Sequence, residues 1–239
     1  AAWMHAIQPQ GRGFSYLALV FAWYSALRRL GVDIDIVPPG HDLSAYRAAF
    51  VPSLPHVSER AMKAFAAFSG AIVFGIRTGA KTESFQIPGD LPPGPLQSLL
   101  PVKVSRVESL RPGLMRQIGW GNRDYTTGVW TETLEAGEGL DVMARFSSGS
   151  PALVRRDSRF YLGAWPSRDL ATDVVQHVLA LAGVDSVVLH EDMRIRRRGR
   201  ITFTFNYGND SLDMPLRTSG ECVLGAQSGG AHNFAAWKS

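Results

Sequence analysis

The side chains that could do acid/base chemistry are Glu83, Asp90, Glu108, Glu132, Glu135, Glu138, Asp141, Glu191 and Asp192. A glycosidase needs two carboxyl groups held about 5 to 9.5 Å apart, on opposite sides of the scissile bond. No pair here sits in an apolar strand-end setting, so solvated surface is expected for most of them. A nucleophile elbow is missing: Gly13-Phe14-Ser15-Tyr16-Leu17 lacks the second glycine and opens a helix with no strand before it. Cys222 falls in a late β-type segment, away from the helix N-terminus or histidine that would make a reactive thiolate, and is expected to be inert. His232 follows it in sequence, but nothing orients the two. His5, His41, His56, His177, His190 and His232 are scattered without metal-ligand spacing, and His190-Glu191-Asp192 reads as a solvated turn. Neither glycine-rich phosphate motif occurs. No catalytic residue, metal or cofactor is expected.

Two features remain. The loop Arg77-Thr78-Gly79-Ala80-Lys81-Thr82 follows the apolar run 71–76. Ligands of open α/β sheets bind outside the carboxyl ends of strands, which makes Arg77, Thr78, Lys81 and Thr82 candidate small-molecule contacts. The same loop could simply cap the sheet or meet a partner. The run Arg194-Ile195-Arg196-Arg197-Arg198-Gly199-Arg200 is the other. On a strand, Arg194, Arg196 and Arg198 share one face, as a phosphate-binding stripe would require. The run holds no aromatic residue for base stacking, and arginines also blunt exposed strand edges. Nucleic acid is therefore not the expected partner.

The elements that would position these residues follow from periodicity. Tyr16, Leu19, Val20, Trp23, Tyr24, Leu27 and Leu30 recur at three- and four-residue steps and predict a helix from Ser15 to Leu30, ended by Gly31. Residues 32–37 alternate and predict a strand, stopped by Pro38-Pro39-Gly40. A buried strand is expected at 48–52, a helix at 59–68 capped by Ser58, and a second buried strand at 71–76. This alternation signals a layered α/β domain. Five prolines between 88 and 101 mark a loop with one helical turn at 96–100. Strands are expected at 102–107, around 129–134 and at 142–146. A hairpin is expected across Asp157-Ser158, and a helix over 167–182 closed by Gly183. Beyond Val184 the texture is β, with short strands at 186–189, 193–198, 201–206, 211–214, 221–224 and 234–237. The expected division is 1–184 for the α/β domain and 185–239 for a small antiparallel β-sandwich.

Composition bounds the reading. The 239 residues carry 25 Lys+Arg against 21 Asp+Glu, a surplus of +4, and one cysteine. Disorder and low complexity are excluded for the whole, as is an internal disulfide framework. No apolar stretch reaches the ~18 residues of a membrane span. The first residues lack a signal-peptide pattern, so a cytoplasmic location is expected, and the chain reads as starting inside a domain.

The order of segments resembles one family. Phe14–Leu17, Phe21–Val37 (FAWYSALRRLGVDIDIV) with Pro38-Pro39, Val51–Leu54, Ser69–Thr82 (SGAIVFGIRTGAKT) and Gln86–Leu96 (QIPGDLPPGPL) resemble the trimerisation domain of glycoside hydrolase family 42 β-galactosidases. Val107–Gly113, Val129-Trp130, Pro151–Arg156 and Tyr161–Gly163 continue the likeness. Arg196–Tyr207, Val223–Gly225 and Phe234–Trp237 are similar to the family's small C-terminal β-domain. The resemblance implies a flavodoxin-like, class I glutamine amidotransferase-like layered domain whose first strand is absent here. That group's nucleophilic cysteine has no counterpart, since Cys222 lies outside the domain. The family's catalytic glutamates lie in an N-terminal (β/α)8 barrel, none of which is present. The implied parent hydrolyses terminal non-reducing β-D-galactosides with retention, and trimer formation helps enclose its active sites. The implied partners are other copies of the chain and the barrel. Phe85, Ile87, Leu91 and Trp120 are the expected interface residues.

Overall fold

The computed structural model describes residues 2–7, 10–214 and 232–234. Cys222 and the strand expected at 221–224 lie outside them, as do residues 235–237. The chain divides into two compact units, residues 1–23 with 36–184 and residues 24–35 with 185–239. Among the described residues no helix is long and apolar enough to cross a membrane.

The first unit is built on a seven-stranded mixed sheet. Its strands are β1 (Ala48–Val51), β2 (Ala71–Phe74), β4 (Arg116–Trp120), β5 (Arg123–Thr127), β7 (Asp141–Phe146), β8 (Pro151–Arg156) and β9 (Arg159–Leu162). They lie in the order β1-β2-β9-β8-β7-β4-β5. β1, β2 and β9 run parallel, and every other neighbouring pair is antiparallel. The sheet is thus layered α/β at one end and a meander at the other. β3 (Val102–Ser109) and β6 (Trp130–Ala136) form a separate antiparallel pair with a bulge between Val104 and Arg106.

Helix α1 (Ala2–Ile7), which periodicity did not predict, opens the chain. Helix α2 (Tyr16–Arg29) follows the predicted stripe, burying Leu19 and Trp23 in its first half. Helix α3 (Glu59–Ala67) starts where Ser58 Oγ accepts from Ala61 N at 3.2 Å, satisfying one of the orphan donors of a helix N-terminus. It sets Phe65 edge-on to Phe74 at 5.2 Å within a core that also holds Ile72, Leu96, Leu100, Val102, Val104, Leu134, Val154 and Tyr161. Burying each such side chain contributes roughly 1.5–3 kcal/mol. Helix α4 (Arg168–Leu181) is capped by Ser167 and closed by Gly183 at φ +62°, where Val184 N donates back to Leu179 O. Asp173 on α4 accepts from Tyr125 Oη and pairs with Arg123, tying the β4–β5 hairpin to the helix.

The second unit corrects two expectations. Residues 32–37 form no strand. Among the described residues no ladder partner runs beside them. Instead Asp33 Oδ1 accepts from Arg197 N at 3.2 Å, and Ile36 is exposed. Residues 186–189 form no strand either. Val187 N and Leu189 N donate to Leu30 O and Arg29 O, two of the carbonyls a helix C-terminus leaves unsatisfied. β10 (Met193–Arg198) and β11 (Ile201–Asn206) pair as an antiparallel hairpin, as expected. β12 (Leu212–Met214) pairs with β13 (His232–Phe234). Leu189, Met193 and Ile195 form a small core with Val187 and Leu212 against them. Buried Arg28 donates to Val32 O at 3.2 Å and to Ile195 O at 3.1 Å, joining the two segments of this unit.

Replacing Arg28 with Met keeps the aliphatic stem but leaves two carbonyls without their charged donor. It should lower stability by about 1.5–3 kcal/mol in urea denaturation. An unchanged midpoint would show that water replaces the guanidinium at no cost.

Candidate functional site

The most unusual chemistry of the first unit gathers at Glu132. Along β6 the alternation Trp130-Thr131-Glu132-Thr133-Leu134 places Trp130, Glu132 and Leu134 on one face. That face is the core, so a carboxylate occupies an apolar position and is 2% exposed. Three donors from three segments converge on it. Arg77 N donates to Oε1 at 2.9 Å, Trp130 Nε1 to the same oxygen at 3.2 Å, and Tyr161 Oη to Oε2 at 2.7 Å. The strand is held in place by Glu132 N donating to Gly163 O and Trp165 N donating to Trp130 O, at 2.7 and 2.9 Å.

The loop after β2 supplies the cation. Arg77 adopts φ +64°, and its guanidinium lies 5.3 Å over the Trp130 ring. Gly79 sits at φ +68°, where a Cβ would come 2.1 Å from Pro93 O, so only glycine lets the loop lie against the proline-rich segment. Thr78 is fully buried: its Oγ1 donates to Gly75 O at 2.7 Å and accepts from Leu54 N at 3.3 Å. Lys81 N donates to Pro55 O, and Thr82 closes a turn by accepting from Gln86 N through Oγ1 and from Phe85 N through its carbonyl. Of the four candidate ligand contacts, Arg77 and Thr78 are turned into packing. Lys81 and Thr82 are half-buried at the rim.

An aromatic wall adjoins this group. His5 stacks on Phe14 at 5.3 Å and on Tyr16 at 5.0 Å, and Phe14 meets Trp130 and Trp165 edge-on at 5.5 and 5.3 Å. His5 Nε2 lies 3.2 Å from Ser53 Oγ, a histidine–serine contact just beyond β1, while Nδ1 is buried without a partner. Burial, then the positive charge of Arg77, pull the His5 pKa down to about 4. The imidazole is neutral at pH 7. Burial raises the Glu132 pKa against the opposing pull of Tyr161, Arg77 N, Trp130 and the Arg77 charge. Tyr161 is held well above its usual range by burial and by the Glu132 charge.

Both oxygens of Glu132 are therefore occupied by protein donors, and the carboxylate acts as a structural anchor. Solvated surface was the expectation for most of the carboxylates; Glu132 departs from it because the strand phase turns it inward. The signal was legible: a glutamate in phase with a tryptophan and a leucine on a strand. An open cleft of about 440 Å³ lies nearby, lined by Arg106, Glu108, Arg116, Thr133, Phe146 and Ser148 among others. Glu108 pairs there with Arg106 at 3.3 Å and Arg116 at 3.4 Å. Of the expected interface residues, Ile87 and Leu91 are exposed and Phe85 is half-buried. Trp120 packs edge-on to His177 at 5.6 Å. Among the described residues no group of three or more His, Cys, Asp or Glu could hold a metal ion.

The first unit is thus buried α/β packing around an anchored carboxylate. The β-galactosidase trimerisation domain family matches residues 1–185, and the chain belongs to it. A β-galactosidase of Thermus thermophilus is 47% identical over 238 residues, covering 100% of this chain and 37% of that relative. The crystal structure of a β-galactosidase from the psychrophilic Marinomonas ef1 superposes with a TM-score of 0.92 at 30% identity, over 99% of this chain and 35% of that one. The β-galactosidase of the Antarctic haloarchaeon Halorubrum lacusprofundi gives 0.88 at 29% identity, over 99% and 37%. The chain thus spans a little over a third of the length of these relatives.

Glu132→Ala should cost about 3–5 kcal/mol, because it strands three buried donors and an adjacent cation. Glu132→Gln keeps two acceptor bonds and offers an N–H to Tyr161, so its loss should be well under half of that in urea denaturation. A folded-state pKa above the unfolded 4.5 means that the native state binds the proton more tightly. Glu132 therefore contributes most below that pH and progressively less as pH rises through its folded value. The difference between wild type and Glu132→Gln, followed by urea midpoint from pH 4.5 upward, should change in that direction; a flat difference contradicts it.

His5 gives the opposite slope. Its pKa falls from 6.5 to about 4, so the unfolded chain binds the proton more tightly between those values. Stability should fall as pH drops from 6.5 towards 4, and His5→Phe should remove that part of the loss. Thermal melts across this window check it.

Proposed function

We propose that this chain is the non-catalytic assembly portion of a β-galactosidase that hydrolyses terminal β-D-galactosides. The family match over 1–185, on a chain that spans 37% of its Thermus thermophilus relative, carries the reading. The glycosidic chemistry needs two facing carboxylates. We place them in the part of the parent that the chain does not span, as a catalytic barrel. Residues 1–184 would form a glutamine amidotransferase-like layered domain that holds copies together as a homotrimer. Its three parallel strands β1, β2 and β9 support that kinship. Residues 185–239 would be a small β-sandwich, supported by the two antiparallel pairs β10–β11 and β12–β13.

The proline-rich loop is the best candidate for the contact between copies. Ile87 is 82% exposed and Leu91 47% exposed on one loop, and obligate interfaces are built around such apolar side chains. Phe85 is half-buried on the same loop, whereas Trp120, on β4 against His177, would be a separate contact.

The test joins this chain to the catalytic part of the Thermus thermophilus enzyme in place of its own corresponding segment. Light scattering should give three times the chain mass, and a chromogenic galactoside should be cleaved. A clean monomer overturns the reading. Ile87→Asp with Leu91→Asp should shift the chimera towards monomer, and the 239-residue chain alone should cleave nothing.

A further inference from the structure

The hairpin of the second unit carries an organised surface that the assembly reading does not use. In the β10–β11 register Arg194 faces Phe205, Arg196 faces Phe203 and Arg198 faces Ile201. Directly opposed residues of an antiparallel pair share a face. One face therefore carries a row of arginines beside a row of apolar side chains. The opposite face carries Met193 and Ile195, which are buried in the small core. On the outward face Ile201 is 55%, Phe203 42% and Phe205 42% exposed. The aromatic row is ordered: Phe203 stacks on Phe205 at 6.5 Å and 15°, and Phe205 on Tyr207 at 6.1 Å and 18°. The sequence run alone lacks aromatics; the neighbouring strand supplies them.

We propose that this face seats an acidic face of the catalytic part of the parent chain, an inference that rests on the function proposed above. Three observations select this occupant. Arginine, phenylalanine and tyrosine are the residues enriched where protein surfaces bury against one another, and contacts between domains of one chain tolerate such polar content. The chain spans 37% of its Thermus thermophilus relative, so nearly two thirds of the parent lies outside it and must pack somewhere. Charge complementarity sets the partner's sign, and it argues against the same face of a second copy, whose arginine rows would repel. A polynucleotide fits less well. The Arg194 guanidinium donates at 2.6 Å to the Glu191 and Met193 carbonyls, which leaves Arg196 and Arg198 on this face, with Arg200 at the turn and Arg197 on the other face, as four exposed cations. That is fewer than the roughly 6–10 phosphate contacts of strongly salt-dependent binders.

The experiment compares two backgrounds: the 239-residue chain alone, and the chimera with the Thermus thermophilus catalytic part. Arg196→Glu with Arg198→Glu should lower the melting temperature of the chimera by roughly 2–4 °C and leave that of the isolated chain in place. Arg196→Lys with Arg198→Lys, which keeps the charge, should recover most of the loss. Phe203→Ser with Phe205→Ser should also act in the chimera alone. Equal shifts in both backgrounds, or none in either, overturn the proposal. So does salt-dependent retention of oligo-dT that the charge reversal abolishes while the chimera's melting point stays fixed. A chimera that is trimeric and active yet indifferent to the variants defeats only this inference; a monomeric, inactive one defeats the function proposed above.

Discussion

A single carboxylate inside an apolar core sets the terms for the first unit. Glu132 has lost its water and is compensated by three donors that no one element could provide. The backbone of the β2 loop, the indole of β6 and the phenol of β9 must all be in place together. Buried ionic groups contribute little net stability compared with well-packed apolar residues, but they penalise every arrangement that leaves them unpaired. The left-handed backbone at Arg77, the glycine at 79 and the turn at Thr82 are all consistent with a loop that has one permitted position. An assembly domain needs its surface loops in register, and this group fixes where the proline-rich segment begins.

The same group shows why a shifted pKa is insufficient evidence of catalysis. A raised glutamate beside a lowered histidine is the pattern that active sites use to divide acid from base. Here both oxygens of the glutamate are taken by protein donors and the imidazole stacks on Phe14 and Tyr16. Geometry, not titration, decides the role. The cleft beside β3 and β6 is lined by Glu108 and Glu132, but the first is already paired with two arginines and the second with its three donors.

Much of the fold could be read from local pattern. The serine cap at 58, the buried run of β2, the closing Gly183 and the Asp157-Ser158 hairpin lie where sequence chemistry puts them, whereas β1, expected to be buried, is half-buried along its length. The failures share a cause. Residues 32–37 and 186–189 have the alternation of strands, but the first is met by the Arg197 N–H donating to the Asp33 side chain and the second by helix-end carbonyls, which alternation cannot reveal. The β4–β5 hairpin was missed although Gly121-Asn122 stands between Ile118 and Tyr125, both buried. Its polar residues face outward and dilute the apolar signal. Glu132 departs from the solvated surface expected of most carboxylates because it shares the inward strand phase of Trp130 and Leu134. The aromatic row at Phe203 and Phe205 needed the register between two strands, which a run examined by itself does not contain.

Helix α2 carries a consequence for how such proteins are inherited. Its first half, to Trp23, belongs to the first unit, and the rest, from Tyr24, to the second. The second unit is therefore assembled from two distant stretches of chain, stitched by Arg28 and by the carbonyls of Arg29 and Leu30. A recombination event that cuts the gene near codon 184 would carry away only one of those stretches. The tail is a unit in space without being a cassette in the gene, so shuffling should move the whole stretch from α2 onward or nothing.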